Sequence, residues 1–332
     1  MAMTLPLRTA ISPREVQEAN SNKCCSVAKR QLTEKGIHRM HRRLLVALVV
    51  VLIAVPVFAN HSWGGYHWAR QSNPFTVKVY DNVTSGWEPY LSEAVSDWNP
   101  SPVFDFQVFW NSPLTSAKRC ASATGVIEVC NSKYGATGWL GIAGISITGG
   151  EHITKAYTKL NDTYFNTATY NTPAWRRLVT CQEIAHDIGL AHQDETFANT
   201  NLGSCMDYTD DPDGGAGGSS SNDPSNEHPN SHDFSQIASI YNHNDSFTTL
   251  AALWDAQVQA LSVPQSIEEI LADAGQWGTP VRWDSVGRPI VFVMPVPNHG
   301  GEPHGLNVID VFWAPIPVDL DRPEIGEPGN ER

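Results

Sequence analysis

Residues 182–192 read Gln-Glu-Ile-Ala-His-Asp-Ile-Gly-Leu-Ala-His, and this stretch decides the fold that we expect. A helix is predicted from Pro173 to about Ile188, because Thr172 is a good N-cap and proline is tolerated at the first helical position. Gly189 ends this helix, since glycine accepts the left-handed conformation of a helix end. The stretch therefore begins on a helix and finishes beyond a sharp turn.

Three side chains of this stretch are spaced to hold one metal ion. Gln182 and His186 are four residues apart on the predicted helix, so their Cβ atoms lie about 5–6 Å apart on one face. The turn at Gly189 lets His192 return to the same ion. Zinc takes imidazole nitrogen as a ligand and keeps an open position for water in catalytic sites. Glu183, next to this face, is then a candidate general base for metal-assisted amide hydrolysis.

The pattern Glu-x-x-His-x-x-Gly-x-x-His resembles the zinc signature of the metzincin peptidases, which has a histidine in the place of Gln182. Residues 204–208, Ser-Cys-Met-Asp-Tyr, begin 12 residues after His192 and resemble the Met-turn of the same family. By this resemblance Met206 forms an apolar floor beneath the metal. Tyr208 approaches the metal and helps to hold the oxyanion, as in the astacin and serralysin branches. The resemblance implies a zinc-dependent endopeptidase that acts on protein or peptide substrates.

The resemblance covers about residues 75–245 and is nearest to small secreted bacterial matrixin-like or snapalysin-like proteins. It implies an α+β metzincin (zincin-like) fold, with a twisted, mostly parallel sheet that has an edge strand and is backed by two long helices. Hydrophobic periodicity predicts the same kinds of elements. The predicted strands cover 75–80, 104–110, 125–130, 140–148 and 152–160, and helices are predicted at 87–98 and 232–241.

A metzincin-like catalytic domain is expected over residues 60–248, followed by a small extension over residues 249–332. Periodicity within the extension predicts a helix near 267–274 and strands at 290–294 and 308–313. The extension contains β-structure, and its function is unknown from the sequence because it carries no motif to which we assign a chemistry.

Gln182 leaves three interpretations open. In the first, its neutral amide is a weak zinc ligand and the site still works. In the second, another residue completes the site, and the candidates are Asp194, His152 and His228. In the third, the chain is a catalytically inactive secreted binding protein with the metzincin fold. The rest of the signature is present and favours an active enzyme: Glu183, His186, Gly189, His192 and Met206.

The N-terminal segment is typical of an exported protein. Residues 44–59 are uncharged and mostly aliphatic, follow a basic segment and end in small residues where a signal peptidase cleaves. This pattern predicts a signal peptide at 40–59, with Met40 as the start, and secretion of the mature chain. Residues 1–39 are then a non-structural leader or a misassigned start. An uncleaved signal anchor is the alternative, and it would be the only contact with a membrane.

The charge of the mature chain narrows its range of partners. Residues 60–332 carry 13 Lys and Arg against 32 Asp and Glu. This acidic excess disfavours binding to nucleic acid and to anionic membranes. We expect a monomer, and the resemblance to the metzincins implies protein or peptide substrates as its partners.

Four cysteines remain after cleavage of the predicted signal, and an even number in an exported chain predicts disulfides. The expected pairs are Cys120–Cys130 and Cys181–Cys205, with free buried thiols as the alternative. The acidic run 207–213 is followed by glycines and is a weak candidate for a calcium site. A solvated acidic loop is favoured by its composition.

Overall fold

The computed structural model describes residues 61–110, 112, 115–215, 223–249, 277–297 and 303–315. The predicted leader, the signal peptide and the helix near 267–274 lie outside the described residues. Within the described part of the chain, no helix is both long and apolar enough to cross a membrane.

Nine strands of the described residues form one mixed sheet. They are β1 His67–Trp68, β2 Phe75–Asn82, β3 Phe104–Phe109, β4 Val126–Ser132, β5 Trp139–Thr148, β6 His152–Asn161, β7 Thr279–Trp283, β8 Pro289–Pro297 and β9 Pro303–Trp313. Their order is β3-β2-β4-β6-β5-β9-β8-β7, and β1 pairs with β6 outside this path. The pairs among β1, β2, β3, β4 and β6 are parallel, whereas the pairs that involve β5, β7, β8 or β9 are antiparallel.

The described helices are α1 Glu88–Trp98, α2 Asp162–Phe165, α3 Pro173–His186 and α4 Ser231–Ile240. Helix α1 packs against α3, and α3 packs against β5 and β6. The Trp98 indole of α1 donates a hydrogen bond to the carbonyl oxygen of Cys181 on α3, at 3.1 Å. Thr172 caps α3 as expected, because its hydroxyl accepts a hydrogen bond from the Trp175 amide. Helix α3 is thus held between α1 and the sheet, with its C-terminal turn over β5 and β6.

The α+β prediction is confirmed, but one of its details is wrong. The sheet is mostly parallel only up to β6, because β9, β8 and β7 continue the same sheet by antiparallel pairing. Strand β5 therefore lies inside the sheet. The backbone N–H and C=O groups that an edge strand would leave unpaired face β9 on β5.

Glu128 of β4 is a buried acid that makes the stability of this sheet depend on pH. Burial raises the pKa of its carboxyl to about 7, whereas the same group in an unfolded chain titrates near about 4.3. Between these values the folded state retains a proton that the unfolded state has released, so the free energy of unfolding falls as pH rises. For Glu128→Gln we expect a gain over the wild type of about 2–3 kcal/mol at pH 8 and little change at pH 4, as measured by urea unfolding.

The control for this prediction is Glu151→Gln, which neutralises an exposed glutamate in the turn that precedes β6. It should leave the pH dependence of the unfolding free energy unchanged. A Glu128→Gln variant that loses stability between pH 4 and pH 8 as steeply as the wild type would contradict the assignment.

Candidate metal centre

The turn after α3 brings two histidines together. Gly189 has a φ of +93°, and a Cβ atom at this position would come within 2.0 Å of the carbonyl oxygen of Tyr66. The chain can therefore reverse here only with glycine. After the reversal, Nε2 of His192 lies 3.2 Å from Nε2 of His186, and the two rings are nearly perpendicular, at 84°.

We expect Gly189→Ala to lower the free energy of unfolding by at least about 3 kcal/mol, because a left-handed conformation and a steric clash add together. Gly135 is a matched control, since its φ is also +93° but a Cβ atom added there would have no neighbour within 4 Å. Gly135→Ala should lose only about 1–2 kcal/mol. Equal losses of the two variants in urea unfolding would refute the close approach to Tyr66.

A third metal-ligating side chain, Asp310 of β9, lies against the two histidines. Its Oδ1 is 3.7 Å from Nε2 of His186 and 3.6 Å from Nε2 of His192. All three side chains are fully buried. One ligand atom from each lies within 4.8 Å of the others, which is the arrangement of a candidate metal site.

The surroundings of His186 fix the direction of its free nitrogen. Its Nδ1 lies 2.8 Å from the carbonyl oxygen of Leu190, so Nδ1–H is the donor and Nε2 carries the lone pair. The Trp63 ring stacks on the imidazole at a centroid distance of 4.9 Å. Burial lowers the pKa of His186 to about 3 and also lowers the pKa of His192, so both rings are neutral.

The donor set fits a zinc ion. Both carboxylate oxygens of Asp310 are buried without a hydrogen-bond partner among the described residues, and Oδ1 faces the imidazole nitrogens of His186 and His192. Burying a carboxylate without such a partner is costly unless a cation compensates its charge. Two imidazole nitrogens and a carboxylate oxygen are ligands that zinc takes in proteins.

Glu183 lies next to this set, at the contact between α3 and β5. A Cβ atom on Gly141 of β5 would be 2.4 Å from Oε1 of Glu183, so the carboxylate packs directly on the strand. Neither of its oxygens has a hydrogen-bond partner among the described residues. Burial, followed by the charges of Asp310 and Asp187, raises the pKa of Glu183. The carboxyl is thus buried, free of partners and close to Asp310.

Gln182 reaches the 204–208 segment through its amide nitrogen. That nitrogen donates to the carbonyl oxygens of Cys205 and Asp207, at 2.7 and 3.3 Å. Its Oε1 is buried and has no hydrogen-bond partner among the described residues. Gln182 therefore braces α3 against the segment that resembles a Met-turn.

The residues of that segment are buried around the histidines. Met206 is fully buried, and its carbonyl oxygen accepts a hydrogen bond from the amide of Gln193 at 2.6 Å. The Tyr208 ring lies 4.7 Å from the His192 ring, centroid to centroid. The Tyr208 hydroxyl accepts a hydrogen bond from the Trp313 amide of β9 at 2.9 Å. Strand β9 therefore contacts the site through both Asp310 and Trp313.

The structure does not bring the sequence-based candidates for a third ligand to this centre. His228 lies 2.7 Å from Asp97 and is exposed, and Asp194 accepts a hydrogen bond from the Thr196 amide. His152 contacts Asp245 instead. The residue that sequence reasoning missed is Asp310, and the available signal was a single acid within an apolar predicted strand, Val308 to Phe312.

The structure also places the cysteines and the acidic run 207–213. Disulfides join Cys120 to Cys130 and Cys181 to Cys205, and the second ties α3 to the 204–208 segment. The acidic run 207–213 contributes no side chain to the groups of three or more metal-ligating side chains found among the described residues.

Comparisons with known proteins add a distant likeness. No family model and no curated protein matches the chain. The structure of myroilysin is similar at 13% identity over 53% of this chain and 97% of that one, with a TM-score of 0.30. High choriolytic enzyme 1, a hatching enzyme zinc-protease from Oryzias latipes (medaka fish), is similar at 16% identity over 54% and 96% of the two chains, with a TM-score of 0.31. A likeness at this level does not decide a family.

Proposed function

We propose that the chain is a secreted zinc-dependent metalloendopeptidase with a metzincin-like centre. The observation that carries this proposal is the convergence of His186, His192 and Asp310 beside the free carboxyl of Glu183. Two of its three ligands, His186 and His192, lie on the stretch whose residues resemble the metzincin zinc signature. The turn between them, at Gly189, is one that only glycine can make. Protein or peptide chains are the proposed substrates.

His186 and His192 are the proposed permanent zinc ligands, and Asp310 is a third ligand that can be removed with β9. A zinc ion held there would polarise a peptide carbonyl and lower the pKa of a water molecule. Glu183 takes up a proton and returns it to the leaving amine, for which both of its oxygens are free of other hydrogen bonds within the described residues. Gln182 is a positioning residue, because its amide nitrogen holds the 204–208 segment, and only its Oε1 is available to a metal.

The described arrangement of this centre is closed. Glu183 and its neighbouring ligands are buried, and β9 pairs with β5 along its whole length, from Trp139 to Thr148. An extended peptide that binds by adding to a strand edge needs a free edge. β9 occupies that edge of β5, and the Trp313 amide of β9 donates a hydrogen bond to the Tyr208 hydroxyl. Peptide hydrolysis therefore requires β9 to leave, and Asp310 is a ligand that leaves with it.

The same closure favours a second candidate function. A metal that stays enclosed between α3 and β9 would stabilise a secreted binding protein without catalysis. The two candidates differ in whether a peptide ever reaches Glu183.

Cleavage assays on the secreted chain test the proposal. The chain should contain zinc by elemental analysis and should release fragments from casein, and a zinc chelator should stop the reaction. Zinc without cleavage, both before and after β9 is weakened by substitution, would favour the binding protein. Absence of zinc from the freshly secreted chain would exclude the proposed centre.

A further inference from the structure

A second group of histidines surrounds one carboxylate, that of Asp245, outside the centre at His186. Oδ1 of Asp245 lies 3.4 Å from Nε2 of His67, 3.5 Å from Nε2 of His243 and 3.2 Å from Nε2 of His152. Nε2 of His67 and Nε2 of His243 are 3.2 Å apart. His67 is buried and Asp245 is partly buried, whereas the His243 side chain is 44% exposed.

Three separate parts of the fold bring these residues together. His67 of β1 and His152 of β6 are direct partners in a parallel pair, so they are neighbours across the two strands. Asp245 and His243 follow α4. The Asp245 amide donates to the carbonyl oxygen of Arg70, and the Arg70 amide donates to Oδ2 of Asp245 at 2.9 Å. This two-way contact fixes the carboxylate and leaves Oδ1 directed at the histidines.

The hydrogen bonds of the rings direct their Nε2 atoms into the group. Nδ1 of His67 lies 2.8 Å from the carbonyl oxygen of Gly65, and Nδ1 of His243 lies 3.3 Å from Oδ1 of Asn242. Both acceptors are oxygens, so each Nδ1 is placed to donate a hydrogen bond. The two Nε2 atoms then face each other and Oδ1 of Asp245, where a cation would meet two imidazole nitrogens and one carboxylate oxygen.

The spacing of the group matches a zinc site. Zinc–nitrogen and zinc–oxygen bonds of about 2.0–2.2 Å in a tetrahedron place neighbouring ligand atoms roughly 3.3–3.6 Å apart. The observed separations are 3.2, 3.4 and 3.5 Å among His67, His243 and Asp245. The His67 ring is perpendicular to the His243 ring and at 80° to the His152 ring. The Nε2 atoms of all three rings lie within 3.5 Å of Oδ1 of Asp245, so they converge on one point.

We infer that His67, His243 and Asp245 form a second metal site, for a divalent transition cation of the zinc class, with His152 as the further imidazole beside it. Imidazole with one carboxylate is a zinc-type ligand set. The carbonyl oxygen of Gly65 serves as the outer-shell acceptor that orients a metal-bound imidazole. This site does not depend on the proposed peptidase activity.

A third group, His61, His232 and Asp233, differs in the relative orientation of its two rings. Its two rings are stacked at an interplanar angle of 17° and a centroid distance of 4.8 Å. Lone pairs of stacked rings run side by side instead of converging on one point. The group around Asp245 is therefore the one that we assign to a cation.

The second site would act as a structural clamp. It joins β1, β6 and the segment after α4, and β1 directly follows the segment that carries Trp63. The Trp63 amide donates to the carbonyl oxygen of Gly189 at 3.0 Å, and its ring stacks on His186. A metal at Asp245 would thus hold in place the segment that covers one face of His186, a proposed ligand of the first centre.

Zinc counting on the secreted chain tests the inference. His243→Ala changes an exposed ligand, so the variant is expected to fold, and it should contain one zinc per chain fewer than the wild type by elemental analysis. His228→Ala is the matched control, because His228 is also exposed and also pairs with an aspartate, Asp97, at 2.7 Å. The control should retain the wild-type count. This difference is expected whether or not the centre at His186 binds zinc.

Titration of the metal-free chain with zinc gives a second readout. The affinity of the second site should fall by more than about 100-fold in His243→Ala, because loss of an outer-shell partner alone lowers affinity about 10- to 100-fold. His152→Gln should lower it less. Equal zinc content and equal affinity in the wild type and His243→Ala would overturn the inference and leave a histidine network held by protons.

Discussion

Replacing Glu183 by glutamine is expected to slow peptide cleavage by about 10²- to 10⁴-fold, the usual contribution of a positioned acid–base group. Glutamine keeps the size of the side chain but can neither take up the proton nor return it to the leaving amine. The zinc content should stay at the wild-type value, because the proposed ligands are His186, His192 and Asp310. Hydrolysis of casein and zinc analysis on the same preparation measure both quantities.

The matched control is Glu128→Gln, which also neutralises a fully buried glutamate of the domain. This variant should cleave at the wild-type rate, since Glu128 lies on β4 and contacts Asn82. Cleavage that survives in Glu183→Gln would rule out Glu183 as the base. Loss of cleavage together with zinc would mean that the carboxyl holds the metal site together.

The substitution Asp310→Asn is expected to raise the cleavage rate by about 10- to 100-fold. A charged partner contributes about 1.5–3 kcal/mol to the contact that it makes, so its removal shifts the chain towards the form in which β9 has left β5. The volume of the side chain and the pairing of β9 are preserved. Cleavage rates are measured with casein. Bound zinc is measured before and after dialysis, because a site with only the two histidines should have a lower affinity for zinc.

A second β9 variant separates the carboxylate from general weakening of the strand. Asn307→Ala removes one polar contact of β9, the hydrogen bond from Ser146 at 2.7 Å, without touching the histidines. It should raise the rate much less than Asp310→Asn does. If Asp310→Asn instead loses both zinc and cleavage, Asp310 is a permanent ligand of the working centre and not a removable one.

Local features of the sequence predicted the part of the site that lies on one helix and one turn. The cap at Thr172, the glycine at 189 and the four-residue spacing from Gln182 to His186 each act over a single turn, so they can be read without the fold. The direction of the Gln182 amide could not be predicted, since it depends on the carbonyl oxygens of Cys205 and Asp207.

Contacts that depend on which strands pair could not be predicted from the sequence. Asp310 meets His192 only because β9 pairs with β5, and the sequence contains no signal for which strand covers that edge. The pairing also turns the predicted separate extension into part of the main sheet. In the same way, His67 and His152 become neighbours through the parallel register of β1 and β6. In the sequence, each of these residues is an isolated histidine or acid with no partner nearby along the chain.

A zinc-edge anomalous difference map from crystals of the purified chain tests the proposed centre most directly. A peak between Nε2 of His186, Nε2 of His192 and the carboxylate of Asp310 is predicted. A map with no peak at these three residues, from a chain that retains its zinc, would contradict the account.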